Sequence, residues 1–235
     1  MAFILLIETA TESCSAAISS DGKIISFRES SGGYNHSEKL TLFIDEALDM
    51  AGIDSSKLDA VCVSRGPGSY TGLRIGVSAA KGICYALGVP LIAISTLDCL
   101  ASHLADSLGD YNLPAEKPVL LCPMLDARRM EVYTAIYDHK GEKMSDIEAK
   151  IIDGNSFEDL IKEHEILIFG NGAEKCMSTL TSPGIHFIKE VEASARFMSQ
   201  LAYQRYQEKI FEDVAYFEPF YLKDFIATIP KNKIF

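Results

Sequence analysis

The chain has 235 residues, of which 48% are hydrophobic, and it carries a formal net charge of −11. This length and apolar content predict one large domain or two small ones around a substantial core. The acidic balance argues against independent nucleic-acid binding, which normally needs a basic surface, and Arg128-Arg129 is the only basic doublet in the sequence.

The first residues, Met1 to Ile7, are apolar but have no basic segment before them, so a signal peptide is not expected. No apolar run approaches the ~20 residues that a membrane span needs. We therefore expect a cytoplasmic protein without membrane contact. Its six cysteines are scattered without a Cys-x-x-Cys pair and are expected to be reduced structural thiols.

The first half of the sequence shows alternating strand and helix patterns. Asp21-Gly22 predicts a hairpin between two early strands, and Asn35 with Glu38 suggests a capping box before an amphipathic helix that ends at Gly52. The predicted elements are strands at 3–7, 16–18 and 24–27, a helix at 35–51, a strand at 59–63, a helix at 71–87, a strand at 91–94 and a helix at 97–108. This order is that of the ribonuclease-H-like half-unit of actin-like ATPases.

A polar segment with two prolines, 109–118, is predicted to link residues 1–108 to a smaller subdomain at 119–235. The second series contains predicted strands at 119–124, 132–137, 149–152 and 166–169 and predicted helices at 157–164 and 193–207. The predicted fold class is α/β, with two ribonuclease-H-like (actin-like ATPase, ASKHA) subdomains, the second reduced.

The stretch from Ser64 to Gly76 is a glycine-dense turn between a strand and a helix. Backbone N–H groups at such a helix start can bind an anion, but a tight strand-to-helix connection explains the same glycines. The hydroxyls that follow the first strand could likewise surround a phosphate or only cap the strand end. The candidate nucleotide- or phosphate-facing residues are Glu8, Thr9, Thr11, Gly66, Gly68, Ser69, Thr71 and Gly72.

The helix at 71–87 has two apolar stripes. The stripe from Leu73 to Leu87 is expected to face the sheet, whereas the second consists mostly of small residues and would let another helix approach closely. The helix that approaches this stripe could be the one at 35–51 or could belong to another subunit. The candidate partner interface is Leu40, Phe43, Ile44, Ala47, Gly76, Ala79, Ile83 and Ala86.

Three smaller features give weak or ambiguous signals. The turn from Asp126 to Arg129 could orient a phosphate or carboxylate, or could be an ordinary salt-bridged turn. The Gly170-Asn-Gly172 stretch after a predicted strand is a weak hint of a nucleotide loop. A lone His36 at a helix start is expected to be capping or solvated rather than a metal ligand.

Six blocks of sequence resemble the TsaB (YeaZ) family, namely Ile4 to Ile18, His36 to Leu40, Ser64 to Gly76, Gly88 to Leu97, Asp126 to Arg129 and Glu218 to Leu222. The resemblance implies a non-catalytic, actin-like subunit of the bacterial machinery that transfers threonylcarbamoyl to N6 of the adenosine beside the anticodon of tRNAs that read codons beginning with A. Two positions depart from the residues common in that family, Met130 for glycine and Lys223 for arginine.

The resemblance also implies partners. These are TsaD, the catalytic paralogue, and TsaE, a P-loop ATPase, while TsaC supplies threonylcarbamoyl-adenylate. It implies a homodimer when the chain is alone, indirect contact with tRNA, and ATP or ADP at the TsaD junction at most. Thr96 and Leu100 stand where TsaD has its two metal-binding histidines, so we expect neither catalytic residues nor a metal nor a resident cofactor. The alternatives are a small-molecule kinase and a metallopeptidase, and the sequence has no His-Glu-x-x-His motif for the latter.

Overall fold

The computed structural model describes residues 1–32, 35–111 and 117–223. Its first sheet has the strand order β3-β2-β1-β4-β5. These strands are β1 (Phe3–Glu8), β2 (Cys14–Ser20), β3 (Lys23–Ser30), β4 (Ala60–Gly66) and β5 (Leu91–Ser95). β1, β4 and β5 run parallel, and β2 and β3 are antiparallel to their neighbours. The predicted hairpin is confirmed, with positive φ at Asp21 (48°) and Gly22 (79°).

Helices cover both faces of this sheet. They are α1 (His36–Ala51), α2 (Tyr70–Leu87), α3 (Thr96–Asp106) and α4 (Ser199–Gln207). Because side chains alternate along β1, Leu5 and Ile7 pack into the core under α1 and α2, while Ile4 and Leu6 pack with residues of α3 and α4. The buried parts of β1 and β4, residues 4–7 and 60–63, are continuous apolar runs, as expected for central parallel strands.

The second sheet repeats the first strand for strand. Its order is β10-β9-β6-β7-β8, with β6, β9 and β10 parallel and β7 and β8 antiparallel to their neighbours. Its strands are β6 (Val119–Asp126), β7 (Glu131–Thr134), β8 (Glu148–Ile151), β9 (Glu165–Phe169) and β10 (Ile185–Phe187). The predicted reduced copy is therefore confirmed in topology.

The second half is reduced because shorter segments connect some of its strands. Where the first half has α1 and α2, the second has single 3₁₀ turns at Leu160–Lys162 and Glu174–Cys176. The predicted helix at 157–164 was wrong, because Phe157 has a left-handed backbone (φ 73°) and the segment forms turns. The predicted helix at 193–207 begins as a 3₁₀ turn at Ala195–Met198 and becomes α4.

The helix α3 contributes side chains to hydrophobic clusters of both halves. Its residues Leu97, Leu100 and Leu104 pack with Leu121 and Phe169 of the second sheet, whereas Cys99 belongs to the core of the first sheet. The chain after β10 also returns to the first sheet, since Ala202 of α4 lies in that core and Glu212 pairs with Leu91. The division at 109–118 stays a prediction, and residues 112–116 of that linker lie outside the described residues.

The helix ends show which caps form. The Ser69 side chain accepts a hydrogen bond from the Gly72 N–H at 3.3 Å and caps α2. The capping box at Asn35 was wrong, because its side chain makes no hydrogen bond to the described first turn of α1, although Gly52 ends that helix in the left-handed conformation. In the described part of the chain, no helix combines the length and apolarity needed to cross a membrane.

Candidate functional site

The carboxyl ends of β1, β4 and β5 meet at one edge of the first sheet, where ligands bind in open α/β folds. Glu8 ends β1 there and is fully buried. Its Oε1 accepts hydrogen bonds from the Ala10 N–H at 2.6 Å and from the Ser64 hydroxyl at 2.7 Å. Its Oε2 has no partner among the described residues. One oxygen of this carboxyl group is therefore hydrogen-bonded within the chain, whereas the other has no hydrogen bond to a described residue.

Burial raises the pKa of Glu8 to about 7, although the hydrogen bonds from Ala10 and Ser64 favour the charged form. The hydroxyls of Thr9 and Thr96 are also buried without a hydrogen-bond partner in the described ranges. All three side chains are inaccessible to solvent, so Glu8 does not reach a substrate bound at the surface.

The glycine-dense turn packs directly onto the segment after β1. A Cβ on Gly68 would lie 2.3 Å from the Ala10 carbonyl oxygen, and one on Gly72 would lie 2.1 Å from the Thr9 carbonyl oxygen. The Ser69 N–H donates to the Ala10 carbonyl at 2.7 Å. These glycines are required for a close approach of two backbones. This close approach accounts for the two glycines, and the role of Gly68 and Gly72 as a phosphate cradle stays a prediction.

Two more of the predicted phosphate-facing residues, Gly66 and Thr11, also make contacts within the chain. Gly66 has φ 99° and leaves no room for a side chain beside the Phe220 carbonyl. The Thr11 hydroxyl accepts the Ser13 N–H, and only Thr71 of the predicted set is exposed. The expectation for His36 was wrong, because this side chain is buried and its Nε2 lies 2.9 Å from the Thr11 carbonyl oxygen.

A mixed-charge cleft of about 410 Å³ opens beside the same sheet edge. Asp98 forms an ion pair with Lys143 at 2.8 Å and accepts the Tyr137 hydroxyl at 2.7 Å. Arg205 lines the cleft from α4 and donates to the Ala93 carbonyl at 2.7 Å, and Arg65 lines it from β4. Such a lining suits a small polar ligand. Sequence reasoning missed this cleft, because its residues are far apart in the chain.

The predicted partner interface divides between core and surface. Leu40, Ile44, Ala47 and Gly76 are buried in the chain, so these four predictions were wrong as surface positions. Gly76 lies against Thr9, whose Oγ1 would be 2.3 Å from an added Cβ. In contrast, Phe43, Ala79 and Ile83 are half-buried over the core, and Ala86 is exposed.

The outer surface of α1 and α2 carries apolar residues that the sequence analysis did not select. Leu42 and Met50 of α1 are 53% and 52% exposed, and Tyr85 of α2 is 86% exposed. Gly82 of α2 is also exposed, and a Cβ added there would have no neighbouring atom within 4 Å. A glycine in the middle of a predicted helix was the sequence signal that could have drawn attention to this surface.

The Gly170-Asn-Gly172 stretch repeats the packing of the first glycine turn. A Cβ on Gly170 would lie 2.4 Å from the Met124 carbonyl oxygen, and the Asn171 Oδ1 accepts the Asp126 N–H at 3.1 Å. The weak nucleotide-loop interpretation therefore gives way to close packing against the end of β6. Asp126 also forms an ion pair with Lys175, so this end of the turn is salt-bridged. Among the described residues, no three His, Cys, Asp or Glu side chains come together as metal ligands.

A family model and several known proteins match this chain. The family model TsaD, described as tRNA N6-adenosine threonylcarbamoyltransferase, matches residues 28–224. The tRNA threonylcarbamoyladenosine biosynthesis protein TsaB of Escherichia coli is 34% identical over 134 residues, which are 57% of this chain and 54% of that protein. TsaB of Bacillus subtilis is 32% identical over 137 residues, 58% of this chain and 56% of the relative.

The matched stretch thus spans about half the length of these curated relatives. The solved structure of YeaZ from Pseudomonas aeruginosa is similar over 94% of this chain and 100% of its own, with a TM-score of 0.79 and 24% identity. At this identity the likeness shows the fold, and it confirms the predicted fold class. Together these matches confirm the resemblance inferred from the six sequence blocks.

Proposed function

The chain belongs to the TsaD family, and from this premise we propose that it is a non-catalytic subunit that binds and activates TsaD in the threonylcarbamoylation of tRNA. Its TsaB relatives are named tRNA threonylcarbamoyladenosine biosynthesis proteins, which supports a role for this chain in the same biosynthesis. In this proposal TsaD supplies the reaction centre, TsaE completes the complex, and tRNA is held mainly by the other subunits.

The observation that carries the docking role is Gly82. A glycine inside a helix lowers stability by about 1 kcal/mol relative to alanine, and nothing within 4 Å of an added Cβ requires it here. It lies one turn from Ala79 and Ala86, so α2 presents a shallow, small-residue groove to the outside. A partner helix can approach such a groove closely. The exposed Leu42 and Met50 add apolar area on α1, the helix that packs against α2.

Two features of the sheet edge support a role without catalysis. The Glu8 carboxyl is buried beneath the chain, and Gly68 and Gly72 of the glycine turn pack against main-chain carbonyl oxygens. Thr96 and Leu100, at the positions of the TsaD histidines, are both buried. We further propose that any ATP or ADP binds at the junction with TsaD, and that the same outer surface of α1 and α2 forms a homodimer when TsaD is absent.

The test is incorporation of labelled threonine into unmodified tRNA by TsaD, TsaE and TsaC from the same organism, with ATP and bicarbonate, with and without this chain. We expect strict dependence on the chain. Full incorporation in its absence would overturn the proposal.

The docking surface is tested with Gly82→Leu, which should weaken TsaD binding about tenfold, because overpacking a close contact costs about 1–3 kcal/mol. Gln207→Leu, at an exposed position of α4 on the other face of the sheet, is the matched control and should bind normally. Charged substitutions of Ala79 or Ile83 are less suitable, since both side chains also pack on the core.

A further inference from the structure

The turn between β6 and β7 holds two adjacent arginines in an unusual backbone conformation. Arg128 and Arg129 have φ values of 70° and 51°, in the left-handed region that L-residues other than Asn and Asp seldom adopt. Both side chains are exposed. A strained backbone at two consecutive bulky residues persists only where the surrounding structure determines it, and such sites are often functional.

The surroundings do hold this turn. The Arg128 N–H donates to Asp126 Oδ1 at 2.8 Å, and the Ala127 N–H donates to the Glu131 carbonyl at 3.1 Å. Lys175 pairs with Asp126 and also donates to the Glu131 carbonyl at 2.7 Å. The loop at Gly170–Gly172 packs behind Asp126, as described above. The two guanidinium groups are therefore presented on a firm support.

The turn and its ion-pair partners carry more positive than negative charge. Asp126 is paired with Lys175, and Glu131 is paired with Lys223. Neither guanidinium of Arg128 or Arg129 has an ion-pair partner within residues 1–32, 35–111 and 117–223. Two positive charges thus remain unneutralised by the described residues, on a chain whose net charge is −11.

We propose that the Arg128–Arg129 turn binds backbone phosphates of the tRNA substrate, an inference that rests on the proposed function. Guanidinium groups match phosphate oxygens in pairs, and arginine contacts to phosphates position a nucleic acid without reading its sequence. The neighbouring Ala127 and Met130 are half-buried, so the turn lacks the exposed apolar centre of a protein interface. On an otherwise acidic chain, RNA approaches most favourably where the charge is locally positive.

The test measures tRNA binding by the reconstituted complex over a series of KCl concentrations, with Arg128→Asn/Arg129→Asn. Asparagine tolerates left-handed φ values, so this variant should fold as well as the parent. We expect about tenfold weaker binding. The plot of log K against log salt should also become shallower by about 1.4 to 1.8, as expected for two lost phosphate contacts. Arg128→Lys/Arg129→Lys keeps the charges and should retain the slope even if asparagine disturbs the turn.

The matched control is Lys140→Asn/Lys209→Asn, which removes two exposed cations elsewhere, one of them, Lys209, also at positive φ (56°). It should leave the slope unchanged, and an equal drop would overturn the inference in favour of a general charge effect. An unchanged slope for the asparagine pair overturns it directly. Failure of a folded asparagine pair to join the complex would instead assign the arginines to an acidic protein segment. Full modification without the chain refutes the proposed function itself, a separate outcome.

Discussion

Replacing Glu8 with glutamine should change how the stability of this fold depends on pH. Burial raises the pKa of Glu8 from 4.5 to about 7. Between these values the folded chain keeps a proton that the unfolded chain has released, so the free energy of unfolding falls as pH rises. Each pKa unit corresponds to about 1.4 kcal/mol, and the buried carboxyl should therefore reduce stability by about 3 kcal/mol once the pH exceeds 7.

Glutamine removes this dependence because it stays neutral, while its Oε1 can still accept from the Ala10 N–H and the Ser64 hydroxyl. The assay is urea unfolding at several values from about pH 5 to about pH 8, followed by circular dichroism. The stability of Glu8→Gln relative to the parent should rise by up to about 3 kcal/mol over that range. Glu142→Gln, at an exposed position, should follow the parent throughout. Parallel profiles for Glu8→Gln and the parent would refute the reasoning and show that Glu8 ionises as freely as in water.

Three further measurements address the glycines and the thiols. Gly72→Ala should lower the free energy of unfolding by about 1–3 kcal/mol, because its methyl group would meet the Thr9 carbonyl at 2.1 Å; an unchanged urea midpoint would contradict the close approach. Gly82→Ala should raise the free energy of unfolding of the isolated chain by about 0.5–1 kcal/mol, and a loss would mean that the chain itself needs this glycine. All six cysteines are buried and free, and burial raises the pKa of Cys14 and of Cys84 to about 11, so native protein should react slowly with iodoacetamide until urea unfolds it. Rapid alkylation of the folded chain would disprove their burial.

The topology was predictable because its central strands are apolar runs bounded by turn residues. The element order of the first half was recovered in this way, including the hairpin at Asp21-Gly22, and so were β6 to β9 of the second half. β10 escaped prediction, since a strand of three residues, Ile185–Phe187, is too short to establish a period. The helix expected at 157–164 failed because helical spacing of apolar residues says nothing about the left-handed φ at Phe157.

The site was less predictable than the fold. Periodicity identified two stripes on α2 but could not decide which residues of the second stripe touch the core, and Gly76 proved to lie against Thr9. The glycine turn has the same residues whether its amides surround a ligand or another backbone, so its sequence left both explanations open. The cleft between Arg65 and Arg205 depends on contacts between distant parts of the chain, which no local pattern reveals.

The close approach of the glycine turn to Thr9 and Ala10 also limits how this protein could be redesigned. A side chain at Gly68 or Gly72 would collide with a main-chain carbonyl oxygen, which no change of rotamer can move away. A designer who wished to place a side chain at either position would therefore have to lengthen or reroute the segment between β1 and β2.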